Sequence, residues 1–309
     1  MEILRALEGI RTPLGDTFFS LVTHLGEETI FIIVGLFFFW CLDKKQGYFI
    51  LSVGFLGTVT NQFLKLWFRI PRPWVKDPKF TIVESARAEA TGYSFPSGHT
   101  QSAIGVFGSI AKVKKNKVIR ILCVLVCVLV PLSRMYLGVH TPLDVGVSIL
   151  VALVLIFGLY PIVNKALDNP KSMRIYLGVM TMFAGAFLAF VLLYRFPAEV
   201  DVNNYEHGVK NAYKILGCII GLWLSYEVDI HYTHFETKGV WWVQLLKLVP
   251  GFLVILAIKS GTKAPLYALT GGSYFADGIR YFLITAFAGC LWPMTFKWIC
   301  SLDKKRGGE

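Results

Sequence analysis

Long runs of apolar residues alternate along the chain with shorter polar segments. Several runs reach the roughly 20 residues that an α-helix needs to cross about 30 Å of hydrocarbon, and their flanks can extend the shorter ones. The pattern predicts an all-α fold, a polytopic transmembrane helical bundle of about nine spans. The apolar runs cover residues 28–42, 47–64, 101–111, 121–132, 145–163, 175–194, 213–225, 243–257 and 281–300.

The composition agrees with that prediction. Hydrophobic residues make up 55% of the 309 residues and charged residues 17%, whereas charged residues approach a quarter of a soluble domain. The net charge of +11 would suggest a nucleic-acid partner for a soluble protein, but in a membrane protein it chiefly marks orientation, so no nucleic-acid partner is expected. The six cysteines lie within or beside apolar runs and are interpreted as small buried hydrophobic residues: Cys41, Cys123, Cys127, Cys218, Cys290 and Cys300.

Lysine and arginine are distributed unevenly among the polar segments. Residues 112–120 hold five of them and no acid, and residues 304–306 near the C-terminus are all basic. Residues 196–208 hold three acids and no lysine or arginine. Because cytoplasmic loops collect basic residues, we expect residues 112–120 and the C-terminus inside and the N-terminus outside. The sequence contains no Asn-x-Ser/Thr sequon, which favours a bacterial cell membrane over a eukaryotic lumen.

No repeat or flexible linker interrupts the chain, and residues 1–309 are interpreted as one integral membrane domain. Residues 1–14 place charged and apolar side chains on opposite sides of a helix, which predicts a short helix in the membrane interface rather than a cleavable signal peptide. Every chemically suggestive residue falls within residues 46–165, the predicted catalytic core spans. Residues 174–301 are predicted to add spans without catalytic motifs.

Polar residues of catalytic type form three clusters at the ends of predicted spans. The charge distribution places all three at the outer, extracytoplasmic membrane face. Each cluster taken alone also has a purely structural explanation. Basic residues often anchor the ends of membrane spans in the interface, and Ser97 or Thr141 can cap a helix. The clusters are Lys65 with Arg72-Pro73, the string Phe95-Pro96-Ser97-Gly98-His99, and Ser133-Arg134 followed by His140 and Asp144.

The convergence of these clusters on one side of the membrane predicts a site for an oxyanion such as a phosphate. Lys65, Arg72 and Arg134 supply positive charge, and arginine offers a planar fork that binds two oxygens at once. Ser97 and Gly98 lie at a predicted helix N-terminus, where free amide groups and the helix dipole favour an anion. No carboxylate cluster suited to Mg²⁺ or Zn²⁺ lies nearby in the sequence, so no metal and no cofactor are expected.

Taken in order, these motifs are similar to the three-part signature of the type 2 phosphatidic acid phosphatase family. The resemblance covers residues 65–144, about a quarter of the chain, and every signature position matches. The nine-span layout with an outside N-terminus also resembles the glucose-6-phosphatase branch. The signature reads Lys65, six residues, Arg72-Pro73; then Pro96-Ser97-Gly98-His99; then Ser133-Arg134, five residues, His140, three residues, Asp144.

The resemblance implies a role for each signature residue. His140 would attack phosphorus and form a phosphohistidine, and Asp144 would orient the ring and stabilise its charge. His99 would protonate the leaving alcohol and then take a proton from the attacking water. The residues that bind phosphate and stabilise the transition state would be Lys65, Arg72, Ser97, Gly98 and Arg134.

The resemblance therefore implies a metal-independent phosphoric ester hydrolase, a membrane phosphatase of phosphate monoesters or pyrophosphates. A site at the membrane face favours lipid substrates such as phosphatidic acid, phosphatidylglycerol phosphate or a polyprenyl pyrophosphate. Three alternatives stay open. They are hydrolysis of a soluble sugar phosphate, a phosphotransferase that passes phosphate to another lipid, and a transporter in which the charged cluster is a substrate path.

Overall fold

The helices of the protein follow the apolar runs of its sequence. The structure, a computed structural model, describes residues 1–306, with side chains as far as residue 302, and it contains no β-strand in that range. The predicted all-α fold is confirmed for these residues. The helices are α1 (Glu2–Gly9), α2 (Pro13–Thr23), α3 (Glu28–Phe37), α4 (Lys44–Phe68), α5 (Pro73–Lys76), α6 (Gly98–Ala103), α7 (Ser109–Val113), α8 (Lys117–Tyr136), α9 (Pro142–Leu167), α10 (Pro170–Leu193), α11 (Val202–Val228), α12 (Trp241–Gly261), α13 (Lys263–Leu269), α14 (Phe275–Ala286), α15 (Trp292–Met294) and α16 (Phe296–Arg306).

The count of nine spans is not confirmed. Among the described residues, five helical segments are long and apolar enough to cross a membrane, or up to seven if each of two bent pairs is one span. The predicted span at 101–111 lies instead in the short helices α6 and α7, which are joined by a π-helical turn at Ile104–Gly108. The five segments are Lys44–Lys76, Lys117–Tyr136, Pro142–Leu167, Pro170–Leu193 and Trp241–Leu269, and the bent pairs are Pro13–Gly26 with Glu28–Leu42 and Phe275–Met294 with Phe296–Leu302.

The N-terminal segment departs from the single helix predicted for residues 1–14. Helix α1 ends at Gly9, and α2 begins at Pro13. Proline suits the first turn of a helix because it lacks the amide hydrogen that a helix start leaves unpaired. Thr12 caps α2, since its Oγ1 accepts a hydrogen bond from the Gly15 amide at 3.2 Å. The prediction of one continuous helix is therefore wrong.

The chain divides into two compact units, of which the first contains every residue of the phosphatase signature. In this unit α2 and α6 both pack against α8, and Val22, Ala103 and Val130 form a buried cluster between them. Each unit is built from separate stretches of chain and does not correspond to one continuous range. The predicted division into residues 46–165 and 174–301 stays a prediction. The first unit consists of Met1–Ile32, Ser52–Pro161 and Tyr194–Gly208.

The second unit consists of Ile33–Leu51, Ile162–Leu193 and Val209–Glu309. Several of its buried polar groups are paired, as a membrane protein requires. Trp40 Nε1 donates a hydrogen bond to the Ala288 carbonyl at 2.8 Å. None of the six cysteines of the chain forms a disulfide, and four of them are buried and two half-buried, in agreement with their interpretation as small hydrophobic residues.

Candidate active site

The first unit brings the predicted site residues together from six places along the chain. Lys65 lies near the end of α4, Arg72 directly before α5, and Ser97, Gly98 and His99 at the start of α6. Arg134 lies in the last turn of α8, His140 in the connection that follows, and Asp144 in the first turn of α9. The buried members of this set are Lys65, Arg72, Ser97, Arg134, His140 and Asp144.

The imidazole ring of His140 is held from two sides. Its Nε2 lies 2.8 Å from Nη1 of Arg72, and its Nδ1 lies 3.5 Å from Oδ2 of Asp144. A guanidinium group only donates hydrogen bonds, so Nε2 accepts and carries the lone pair, while the ring proton is on Nδ1 and faces the carboxylate. Burial, followed by the charges of Arg72 and Arg134, lowers the pKa of His140. The neutral ring therefore has its lone pair on Nε2 and its proton on Nδ1.

Asp144 is fixed by its own contacts. Its Oδ2 accepts hydrogen bonds from Ser94 Oγ at 2.6 Å and from the Thr141 amide at 2.7 Å. The Thr141 hydroxyl oxygen accepts in return from the Asp144 amide at 3.3 Å, which is a reciprocal cap of helix α9. The ordinary explanation of Thr141 as a helix cap is thus correct, and the same carboxylate also faces His140.

Three cations are buried around His140, and loop carbonyls hold two of them. Arg72 donates to the carbonyls of Thr91 at 2.7 Å and Val139 at 3.0 Å, and Lys65 donates to the carbonyl of Tyr93. Arg134 is different, because its Nη1 donates to Thr23 Oγ1 at 2.6 Å, whereas its Nε and Nη2 find no acceptor among the described residues.

Unpaired guanidinium donors in a buried position are costly unless a ligand accepts from them. Lys65, Arg72 and Arg134 bring three positive charges to the site, and Asp144 is the carboxylate that faces the His140 ring. A phosphate supplies both the negative charge and the acceptor oxygens that the free donors of Arg134 need. The arrangement is therefore suited to binding an oxyanion.

The start of α6 is held against α9. The Ser97 amide donates to the Asp144 carbonyl at 3.2 Å, and the Ser97 carbonyl accepts from Ser148 Oγ at 2.9 Å. Ser97 Oγ caps α6 by accepting from the Thr100 amide at 3.4 Å, which leaves the hydroxyl hydrogen able to donate. A Cβ at Gly98 would meet its nearest neighbour, Asn61 Oδ1, only at 3.8 Å. The backbone is therefore accessible at this residue.

His99 has an acidic neighbour that the sequence analysis did not select. Its Nε2 lies 3.4 Å from Oε2 of Glu89, a residue of the irregular connection before α6. This contact with His99 is the largest factor that lowers the pKa of Glu89, to about 2. Gly26 packs so closely on the His99 backbone that a Cβ there would overlap the His99 carbonyl. No spacing or periodicity in the sequence connects Glu89 to His99.

Glu89 also approaches two residues of the turn between α2 and α3. His24 Nδ1 lies 3.5 Å from Glu89 Oε1 and forms a short contact with Glu27. One ligand-type atom from each of these three residues lies within 4.8 Å of the other two, so the group could hold a cation. No carboxylate cluster suited to Mg²⁺ or Zn²⁺ is evident near the site in the sequence, because residues 24 and 89 are far apart in the chain. The expectation that no metal takes part stays a prediction.

Comparisons with known proteins agree with this geometry. The sequence-family model described as "PAP2 superfamily" matches residues 46–168. A second family model, described as "PAP2 superfamily phosphatase, transmembrane extension", matches residues 213–305. Phosphatidylglycerophosphatase B of Bacillus subtilis is 31% identical over 168 residues, which are 50% of this chain and 78% of that protein. Sphingosine-1-phosphate phosphatase 1 of Mus musculus is 30% identical over 261 residues, 78% of this chain and 58% of that protein.

Undecaprenyl-diphosphatase BcrC of Bacillus subtilis is 29% identical over 161 residues, 50% of this chain and 80% of that protein. No solved structure matches the chain. The helical fold, the buried cationic site and the matches together define a membrane phosphatase. The chain belongs to the PAP2 superfamily.

Several predictions are settled by membership of this family. The resemblance to the type 2 phosphatidic acid phosphatases, the phosphoric ester hydrolase activity and the integral membrane character are confirmed. The likeness of the span layout to the glucose-6-phosphatase branch stays a prediction. The individual roles of the eight site residues also stay predictions, although the structure places all eight in one unit.

Proposed function

We propose that this phosphatase acts on lipid phosphate monoesters or pyrophosphates through a phosphohistidine formed on Nε2 of His140. The observation that carries the proposal is the pairing of the ring, with Arg72 at Nε2 and Asp144 at Nδ1. This pairing favours the tautomer that can attack phosphorus. The cations around the ring provide the positive charge that the transferring phosphoryl group needs.

The proposed reaction has two steps. In the first, the Nε2 lone pair of His140 attacks phosphorus, the bond to the leaving oxygen breaks, and His99 gives that oxygen a proton. Arg72 turns from Nε2 to the phosphate oxygens before the attack, and this change of partner frees the Nε2 lone pair. In the second step, water attacks phosphorus, His99 takes a proton from the water, and the N–P bond breaks to release inorganic phosphate. Asp144 balances the positive charge that the ring carries between the two steps.

The names of the relatives support a lipid substrate. The two Bacillus subtilis proteins are named for phosphatidylglycerophosphate and undecaprenyl diphosphate, and the mouse protein is named for sphingosine 1-phosphate. Each of these compounds carries its phosphate on a lipid. A site at the end of apolar helices suits such a substrate, because the lipid chain can stay in the membrane while the phosphate enters the polar pocket.

We further propose that the active site and the N-terminus face the outside and the C-terminus faces the cytoplasm of a bacterial cell. Helix α8 has 20 residues and qualifies as a membrane span, so it covers about 30 Å. The basic segment 112–120 is at the start of this helix, while Arg134 is in its last turn and His140 follows it. The basic segment and the phosphate site therefore lie at opposite ends of one span, and the positive-inside rule supports an outer site.

The substrate proposal is tested by phosphate release from a panel of compounds with the purified full-length protein. We expect phosphatidic acid, phosphatidylglycerol phosphate, sphingosine 1-phosphate or a polyprenyl pyrophosphate to give a kcat/KM about tenfold or more above that of a hexose phosphate. A hexose phosphate that exceeds every lipid would overturn the proposal. Phosphate that appears only on an added acceptor lipid would indicate a phosphotransferase. Binding of the anion without any turnover would indicate a transporter.

The covalent step is tested with a substrate labelled on phosphorus and an alkaline quench, since a phosphohistidine is lost in acid. The wild-type protein should retain label, and His140→Ala should retain none. Activity should persist in excess chelator and be inhibited by vanadate, which can adopt the five-coordinate geometry of the transition state. Loss of activity in chelator with recovery on adding Mg²⁺ would show that a metal takes part.

A further inference from the structure

The second unit contains a buried arginine that the proposed reaction does not use. Helices α11 and α14 pack very closely there, because a Cβ at Gly217 would overlap the Gly278 carbonyl oxygen and one at Gly221 would crowd Thr285. Close packing of this kind is typical of helix pairs in membranes that meet through small residues. The contact fixes the residues of α14 near Gly278, including Arg280, relative to the middle of α11.

Arg280 is nearly enclosed, with a side chain that is 8% exposed. Its Nη2 pairs with Oδ1 of Asp277 at 2.8 Å, and the other carboxylate oxygen, Oδ2, accepts from the Tyr267 hydroxyl at 2.6 Å. The Asp277 carboxylate is therefore engaged on both oxygens. Nε and Nη1 of Arg280 find no acceptor among the described residues. These two nitrogens carry three N–H donors, and a buried donor without an acceptor lowers the stability of the fold.

Two lysines of α11 contact tyrosine rings, and one of these rings, Tyr281, is also contacted by Arg280. The Arg280 guanidinium carbon lies 5.3 Å from the centre of the Tyr281 ring, and Lys214 Nζ lies 5.4 Å from the same centre. Lys210 Nζ lies 4.6 Å from the centre of the Tyr274 ring. Arg280 and Lys214 contact the same ring, so an anion bound at Arg280 would also be attracted to Lys214.

We propose that Arg280 is the centre of a second anion site, in which its Nε and Nη1, assisted by Lys214, bind the phosphate of an anionic lipid headgroup. A headgroup phosphate supplies acceptor oxygens for the free donors and a negative charge for the cations. Arg280 lies within residues 213–305, the transmembrane extension, and basic pockets between membrane helices bind phosphorylated headgroups. Phe275 and Leu283 on the same helix are exposed and apolar, as expected of a surface that lipid chains contact.

This site differs in chemistry from the phosphate site. It has no histidine among its named contacts, so it offers no nucleophile and no acid of the kind that His140 and His99 supply. Its ligand is expected to stay intact, and a phosphate diester such as phosphatidylglycerol suits it. The site would therefore hold lipid rather than consume it.

Native mass spectrometry of the full-length protein tests the proposal. The protein is released from vesicles of equal parts phosphatidylglycerol and phosphatidylcholine, with saturating vanadate to occupy the phosphate site. We expect wild-type protein to retain phosphatidylglycerol, and Arg280→Gln and Lys214→Gln to retain about tenfold less, the effect of losing one charged hydrogen bond. The matched control is Arg174→Gln, which removes an exposed arginine paired with Glu227 in the same unit and should retain as much as wild type.

Equal retention by wild type and both site variants, or an equal loss in Arg174→Gln, would overturn the proposal. If Arg280→Gln does not yield monodisperse protein, the two single variants Arg280→Lys and Lys214→Gln replace it as the test. Retention equal to wild type in both of these variants would overturn the proposal. A further arm adds inorganic phosphate or glycerol 1-phosphate at millimolar concentration. Displacement of the lipid by either compound would show that the site binds any phosphate, and the assignment to a lipid headgroup would be wrong.

Discussion

Nε2 of His140 lies 2.8 Å from Nη1 of Arg72, so the guanidinium group faces the nitrogen that is proposed to attack phosphorus. The carbonyls of Thr91 and Val139 hold Arg72 in this position without any substrate. The contact keeps a lone pair on Nε2, because the arginine can only donate. It also places a cation where the oxygens of an entering phosphate would lie. One residue thereby sets the tautomer of the ring and prepares the phosphate contact.

The first prediction concerns the nucleophile and the carboxylate behind it. His140→Ala should abolish turnover, because it removes the atom that forms the N–P bond. Asp144→Asn should keep a small residual rate, since Asp144 orients and stabilises the ring without reacting. Phosphate release by purified, monodisperse variants measures both effects. Near-normal turnover in His140→Ala would end the phosphohistidine hypothesis.

The second prediction concerns the geometry of Arg72. Arg72→Lys keeps the positive charge but loses the planar group that contacts Nε2 and two carbonyls at once. We expect kcat/KM to fall about 10²- to 10³-fold, the effect of removing one preorganised transition-state donor. The matched control is Arg69→Lys, which changes a nearby arginine that donates to the Leu66 carbonyl and should stay within about twofold. Equal losses in the two variants would mean that Arg72 matters only for folding.

The third prediction concerns pH. Burial and then the nearby cations lower the pKa of His140 below its usual 6.5. The neutral ring is the proposed nucleophile, so activity should be present above the lowered pKa and be lost as pH falls through it. Removing a cation raises that pKa, so Arg134→Gln should move the acid limb of kcat/KM to higher pH.

The ionisation of the substrate affects wild type and variant alike, so the difference between their profiles reports on the enzyme. Arg120→Gln, an exposed change at the other end of α8, serves as the control and should leave the limb unmoved. An acid limb that stays in place or moves to lower pH in Arg134→Gln would contradict the assignment of this limb to His140.

The fourth prediction concerns Glu89 as a positioning residue for His99. Its carboxylate is ionised throughout the working range, because its pKa is about 2. Burial and then the charge of Arg134 lower the pKa of His99 to about 4, and the Glu89 carboxylate opposes that shift by favouring the protonated ring. Glu89→Gln should lower kcat about tenfold with little change in KM, and should move the alkaline limb of the profile to lower pH. Glu84→Gln, which changes an exposed acid paired with Arg87 in the same connection, is the control. A change confined to KM would show that Glu89 acts on binding instead.

The fifth prediction is the sidedness of the protein. Single cysteines at two exposed positions, Asn203→Cys and Lys115→Cys, report on the acidic and the basic segment. Asn116 is left unchanged because its Oδ1 caps α8 by accepting from the Ile119 amide. An impermeant maleimide should label Asn203→Cys in intact cells and Lys115→Cys only after lysis. The reverse result would place the active site on the cytoplasmic side.

The helical membrane fold and most of the site could be predicted from the sequence because both depend on local patterns. A transmembrane helix satisfies its backbone within one segment, so an apolar run is sufficient to predict it. Thr141 and Asp144 cap α9 within one turn, and the signature places His140 just before them. Breaks and bends depend on finer local features, which is why the helix start at Pro13 and the bend after Gly26 were missed.

By itself the sequence determined the class of protein, the identity of the nucleophile candidate and the cations that accompany it, because a few side-chain types at fixed spacing are enough to identify this chemistry. Only the tertiary structure decided which nitrogen of His140 is free to attack, since that depends on Arg72, 68 residues away. It also decided that Glu89 faces His99 and that Arg280 keeps unpaired donors. Contacts of this kind arise when distant segments pack together, and no local periodicity encodes them.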